Sequence, residues 1–172
     1  MSRVLMLAVA AGSLLSLSQF TLAEDPSFRA DRKITGNYFR PHSASSYHQG
    51  AISHAETLGY YGRSYNQVPI ETAQEHAGEM RRNLTTAKKE YGKLQQEAKD
   101  DKQLQAHLKA IEAHQMKAEA LIAKLEKGVT EGKSVAALSE EIAKELKAAE
   151  LENEKLMKSL GVAKPAAAKS GK

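Results

Sequence analysis

The sequence predicts an all-α protein, an antiparallel up-and-down four-helix bundle with coiled-coil-like heptad seams and disordered tails. The first observation is a stripe of apolar or small residues between Ile70 and Ala98, spaced at alternating steps of three and four. This spacing places them on one narrow face of a long helix, which must be buried against other helices. The second is that three more segments show helical periodicity between short loops, which favours antiparallel neighbours. The third is the composition, rich in alanine, leucine, lysine and glutamate and lacking cysteine and tryptophan, which is typical of long helices.

The first 23 residues have the pattern of a secretory signal peptide. Arg3 precedes an apolar run over residues 4–17, and Ala23 is a small residue of the kind that signal peptidase accepts. We expect cleavage before Glu24. The run is shorter than the ~20 residues needed to cross a bilayer, and no later apolar stretch follows, so we expect an exported chain, periplasmic or extracellular, with no membrane span. The absence of cysteine excludes a lipoprotein anchor, disulfides and thiolate metal ligands.

Residues 24–42 are predicted to be an irregular basic lead-in, because they lack a period and contain Pro26, Gly36 and Pro41. Their basic residues have two interpretations, a solvated tail and a loose contact with the anionic envelope surface. The four-helix bundle is predicted over residues 43–161, with a first helix at 43–61. The expected buried stripe of that helix is Ala44, Tyr47, Ala51, His54, Leu58 and Tyr61.

The boundaries of the later helices follow from start and stop signals. Pro69 suits the first position of helix two. The heptad register breaks at Asp100-Asp101, so we expect a turn there, with one of the two aspartates capping helix three. Ser134 is the expected cap of helix four, and Gly161 the left-handed stop after it. Residues 162–172 form an Ala/Lys/Pro tail that we expect to be disordered.

The sequence shows no catalytic motif, so we expect a protein that is not an enzyme and requires no cofactor. The net charge of +4 is a balance of many charges of both signs, which argues against nucleic-acid binding. The function that fits best is binding or assembly within the bacterial envelope, through a protein partner that the sequence does not identify or through self-association.

Metal binding is the alternative function, with His54, His76 and Met80 as ligands. If helices one and two fold back near Asn66, His76 lies about two residues, or ~3 Å, along the axis from His54. Met80 follows one helical turn later, and two imidazoles with a thioether suit copper or zinc. The competing interpretation is a hydrogen bond between the two helices beside an ordinary core methionine. His107 and His114 are expected to be boundary residues.

Two resemblances accompany this alternative. The run from His48 to Ile52, then His54-Ala55 and later Glu79-Met80-Arg81, resembles part of a family of exported ferritin-like bundles linked to metal and copper handling. Where that family has two adjacent histidines, a methionine and a glutamate, this chain has Tyr47-His48, His54 and His76. The whole chain also resembles small exported bacterial helical-bundle proteins of uncharacterised function. Neither resemblance implies a catalytic residue.

Overall fold

The computed structural model describes residues 26–161, with side chains described from Phe39 onward. The predicted signal peptide at 1–23 and the predicted tail at 162–172 lie outside the described residues. The helices are α1 Pro26–Ser64, α2 Ile70–Glu97, α3 Lys102–Glu126 and α4 Gly132–Ser159. No β-strand occurs between residues 26 and 161. The predicted all-α four-helix bundle is therefore confirmed.

The helices form a closed ring, in which α1 and α3 each pack against both α2 and α4. The loops at 65–69 and 127–131 lie together at one end, and the loop at 98–101 lies at the other. At the first end the backbone N–H of Val68 donates to the carbonyl of Thr130 at 2.8 Å, and that of Gly132 donates to Asn66 at 2.9 Å. These bonds fix the two loops, and with them the starts of α2 and α4, to one another.

The buried face of α2 is the one that the three-four spacing predicts. Its seven buried residues are Ala73, Ala77, Met80, Leu84, Ala87, Tyr91 and Leu94. The predicted ends of the stripe are less covered, because Ile70 is 39% exposed and Ala98 is only partly buried. The turn before α3 is also confirmed: the Asp101 carboxylate accepts hydrogen bonds from the backbone N–H groups of Gln103 and Leu104, both at 3.0 Å. Gly161 has φ 70°, as a left-handed stop requires.

The start of the first helix was predicted wrongly, because α1 begins at Pro26 and the expected irregular lead-in is helical from that residue onward. Proline is tolerated at the first position of a helix, where its missing N–H would have no partner. Pro41 lies inside the helix but is buried, and its carbonyl accepts a hydrogen bond from Asn153 of α4 at 3.2 Å. Packing against α4 thus offsets the cost of this proline. α1 has 39 residues and α4 has 28. α1 is therefore longer than α4 by 11 residues, or about 17 Å.

The buried face of α1 also differs from the predicted stripe. His48 is fully buried, whereas Tyr47 is 37% exposed. The buried positions run from Ala44 through His48, Ala51 and Ala55, so the first step is four residues rather than three. The core position is occupied by His48, a polar residue, and a search for apolar residues at helical spacing does not detect it.

The predicted starts of two helices also require correction. α4 begins at Gly132 after Glu131, and Ser134 lies inside the helix, where its hydroxyl donates to the Glu131 carboxylate at 2.5 Å. Ser134 is therefore not the cap. Pro69 is the N-cap residue of α2, and the helix begins one residue later, at Ile70.

Candidate functional site

His54 of α1 and His76 of α2 face each other across the antiparallel helix pair. Their Nδ1 atoms are 3.1 Å apart, and their rings meet edge to face, with centroids 5.3 Å apart and an interplanar angle of 60°. The two helices turn back through the loop at 65–69, which brings position 76 level with position 54. The predicted proximity of these two rings is confirmed.

The distance between the two nitrogens suits both a hydrogen bond and a shared metal ion. Without metal, one ring donates its Nδ1 hydrogen to the lone pair of the other. Two imidazole nitrogens bound to a tetrahedral ion at ~2.05 Å each lie about 3.3 Å apart. Chelation therefore requires little movement of the helices, only that both rings carry their hydrogen on Nε2.

The surroundings of His76 favour the neutral imidazole, which is the form that binds metal ions. Burial lowers the pKa of His76 below its ordinary value, and the neighbouring His54 lowers it further. The nearby carboxylates of Glu75 and Glu79 act in the opposite direction but do not reverse the shift. The ring of Tyr61 lies beside this pair, with its centroid 6.0 Å from that of His76.

Met80 is fully buried in the larger hydrophobic cluster, with Ala77 and Leu84. This position gives its side chain a packing role, and its role as a metal ligand stays a prediction. Among residues with described side chains, no group of three or more His, Cys, Asp or Glu is arranged to hold a metal ion. The described residues thus offer an ion two facing ligand atoms, Nδ1 of His54 and Nδ1 of His76.

The two histidines predicted to be boundary residues, His107 and His114, each contact a carboxylate of α4. His107 Nδ1 is 3.2 Å from Glu152, and His114 Nδ1 is 2.7 Å from Glu145. The hydrogen bond to His114 lowers the pKa of Glu145. Both histidines are partly exposed, as the boundary interpretation predicts, and they link α3 to α4 rather than converging on one site.

Sequence reasoning missed a buried polar layer, which we define as His48, Gln115, Glu150 and Ser45. His48 Nδ1 lies 2.7 Å from a Glu150 oxygen, and its Nε2 lies 2.8 Å from the Gln115 side-chain nitrogen. Ser45 donates its hydroxyl to the other Glu150 oxygen at 2.5 Å. In the neutral tautomer that fits, His48 donates to the carboxylate and accepts from the amide. The signal available in the sequence was Gln115, a polar residue in the apolar stripe of α3.

The polar layer separates two hydrophobic clusters. One extends toward the loops at 65–69 and 127–131 and includes Leu58 and Leu84, and the other extends toward the opposite end and includes Leu94 and Leu108. Next to the layer the Tyr91 hydroxyl is buried, with no hydrogen-bond partner among the residues that the structure describes. Burial raises the pKa of Tyr91 well above its ordinary value, and the charge of Glu150 adds to this. His48 and Gln115 are buried at the centre of the layer, and Ser45 and Glu150 are partly exposed at its edge. The layer therefore has a structural character.

No family model, curated protein or solved structure matches the chain. None of the helices described between residues 26 and 161 combines the length and the apolar character that crossing a membrane requires. The class of protein defined by the fold and the site is therefore a four-helix bundle with a facing histidine pair.

Proposed function

We propose that this chain is an exported, non-enzymatic helical-bundle protein that acts by binding in the bacterial envelope, and that its ligand is a copper or zinc ion held by His54 and His76. The observation that carries the proposal is the 3.1 Å separation of the two Nδ1 atoms. Export rests on the pattern of residues 1–23, and the non-enzymatic character on the lack of a catalytic motif in the sequence.

Two protein ligands suit reversible capture of an ion better than permanent structural binding. Structural zinc sites are closed by four protein ligands, whereas open sites leave positions to water or to another molecule. His54 and His76 are both partly exposed at the α1–α2 surface, so water has access to an ion bound there. Such a site allows an ion to be taken up and passed on.

Copper or zinc should raise the unfolding temperature of the protein, because a ligand that binds only the folded state stabilises it by RT ln(1 + [L]/Kd). At a metal concentration about ten times Kd, the gain is about 1.4 kcal/mol, or roughly 3 to 6 °C. His76→Ala should abolish the increase. Thermal unfolding followed by circular dichroism at tens of micromolar metal measures it.

His107→Ala is the matched control and should leave the metal effect intact, since His107 contacts Glu152 of α4 instead. The effect should fade as the pH falls below about 6, because protonated imidazole does not ligate. Metal stabilisation that survives in the His54→Ala/His76→Ala double variant would refute the proposed site.

The metal-free protein should also lose stability as the pH falls below about 6.5. A histidine whose folded-state pKa is lowered binds more protons when unfolded, so acid favours unfolding.

Self-association is the second candidate function, and one surface favours it. Tyr60 and Tyr65 are 61% and 59% exposed near the loop at 65–69, where both rings neighbour that of Tyr61. Exposed aromatic residues grouped in this way are enriched in protein interfaces.

If Tyr60 and Tyr65 join two copies of the chain, sedimentation in the presence of a chelator should show a concentration-dependent dimer, and Tyr60→Ser/Tyr65→Ser should shift it to monomer. The exposed Leu151, replaced by serine on α4, provides the control. A monomer at every concentration would exclude this function.

A further inference from the structure

A groove runs along the surface between α1 and α4. Its volume is about 670 Å³, which is within the range of small-molecule binding sites. The groove is open because small residues line both helices there, namely Ala55 and Gly59 of α1 and Ala143 and Ala148 of α4. Neither His54 nor His76 lines it, so it is separate from the histidine pair.

Two ion pairs cross this groove and neutralise its carboxylates. Lys147 donates to Glu56 at 2.7 Å, and Arg63 donates to Glu140. On each helix the two pairs are seven residues apart, or ~10 Å along the axis. Lys144 lines the groove between them, is exposed, and has no ion-pair partner among the residues with described side chains. The groove therefore carries one positive charge that no described carboxylate neutralises.

The hydroxyl of Ser139 is a second unpaired polar group in the groove. Ser139 lines the groove and is fully buried, and its Oγ has no hydrogen-bond partner among the residues that the structure describes. Its side chain packs opposite Gly59, where an added Cβ atom would lie 3.5 Å from the Ser139 Cβ. A buried hydroxyl without a partner is unfavourable. A ligand that brings an acceptor to this position would thus form a hydrogen bond that the protein alone lacks.

We propose that this groove binds a medium-chain fatty acid, whose carboxylate lies at Ser139 and Lys144 and whose acyl chain extends toward Leu151. Ser139 and Leu151 are twelve residues apart on α4, or ~18 Å along the axis, so the polar and apolar ends of the groove are well separated. Leu151 is 61% exposed, and an acyl chain lying over it removes apolar surface from water. The carboxylate complements the unneutralised charge of Lys144 and accepts from the Ser139 hydroxyl.

The test measures the affinity of the purified protein for decanoate by isothermal titration calorimetry, with a metal chelator present. Decanol, which has the same chain and no charge, should bind about tenfold less tightly, because a hydrogen bond to a charged group is stronger than one to a neutral group. Lys144→Glu should weaken decanoate binding at least severalfold through like-charge repulsion and leave decanol binding unchanged. Lys109→Glu is the matched control, because Lys109 is exposed on α3 and does not line the groove.

Two further variants test the position of the ligand. Ser139→Ala should weaken decanoate binding severalfold without destabilising the unliganded protein, because the hydroxyl it removes has no partner there. Gly59→Leu should abolish binding of both probes, because the new side chain occupies the groove. An added Cβ atom at Gly59 meets Arg63 and Ser139 at an ordinary 3.5 Å, so the helix can accept it. Gly78→Leu on α2, where an added Cβ atom meets nothing within 4 Å, is the control and should bind both probes as the unchanged protein does.

Four results would overturn the proposal. They are no saturable binding of decanoate by the unchanged protein, equal affinity for decanoate and decanol, equal weakening by Lys109→Glu and Lys144→Glu, and binding that survives in a folded Gly59→Leu variant. A dimer that Gly59→Leu dissociates and decanoate does not would show that a second copy occupies the groove, and would also overturn it. Circular dichroism of each variant establishes that it is folded.

Discussion

Replacing Leu84 with aspartate is expected to unfold the protein or cause it to aggregate. Leu84 lies in the middle of α2, is fully buried, and belongs to the larger hydrophobic cluster. A carboxylate placed there has no described cationic partner and must be protonated or exposed by unfolding. The cost is several kcal/mol, against a total stability of roughly 5 to 15 kcal/mol for a domain. Circular dichroism and urea denaturation would measure the loss.

The control for Leu84→Asp is a change of charge on the outside of α3. Glu112 is exposed, so Glu112→Lys should shift the free energy of unfolding by about 0.5 kcal/mol or less. If both substitutions were equally damaging, the buried and exposed faces described above would be incorrect.

The second large effect is expected from Gly132→Ala, where α4 meets the loop at 65–69. A Cβ atom on Gly132 would lie 1.9 Å from the backbone oxygen of Tyr65 and 2.7 Å from that of Gly62. Backbone atoms cannot move aside as the tip of a side chain does, so the helix must shift and weaken the bond between Gly132 and Asn66. We expect a loss of about 1 to 3 kcal/mol or more, measured by urea denaturation.

Gly78→Ala is the matched control, because the same methyl group added in the middle of α2 meets no atom within 4 Å. Alanine is favoured over glycine inside a helix, so this substitution should stabilise the protein by about 0.5 to 1 kcal/mol. The same chemical change should therefore have opposite signs at the two positions. A stabilising Gly132→Ala would contradict the close contact between α4 and the loop.

The sequence was sufficient wherever the determining interaction is local or strictly periodic. The seam of α2, the turn at Asp101 and the stop at Gly161 all follow from spacing or from one residue's backbone preference. The meeting of His54 and His76 followed from counting residues on both sides of a single loop. Each of these arguments involves one helix or one helix pair.

The features that were missed depend on contacts among several helices. Pro26 and Pro41 indicated irregular structure, but Pro26 occupies the first position of α1, and at Pro41 the helix packs against α4, where the Pro41 carbonyl accepts a hydrogen bond from Asn153. His48 is buried because Glu150 and Gln115, on two other helices, satisfy both of its nitrogens.

The buried polar layer also limits which alignments of the four helices are possible. A bundle with long alanine-rich faces has near-equivalent packings in which one helix slides by a turn, or about 5.4 Å. In this protein such a slide would move His48 into an apolar level and leave the carboxylate of Glu150 without its imidazole partner. A buried polar group that loses its hydrogen-bond partner costs about 1 to 3 kcal/mol, and His48 is fully buried. The polar layer thus selects one axial alignment of the four helices, whereas the apolar residues alone would permit several.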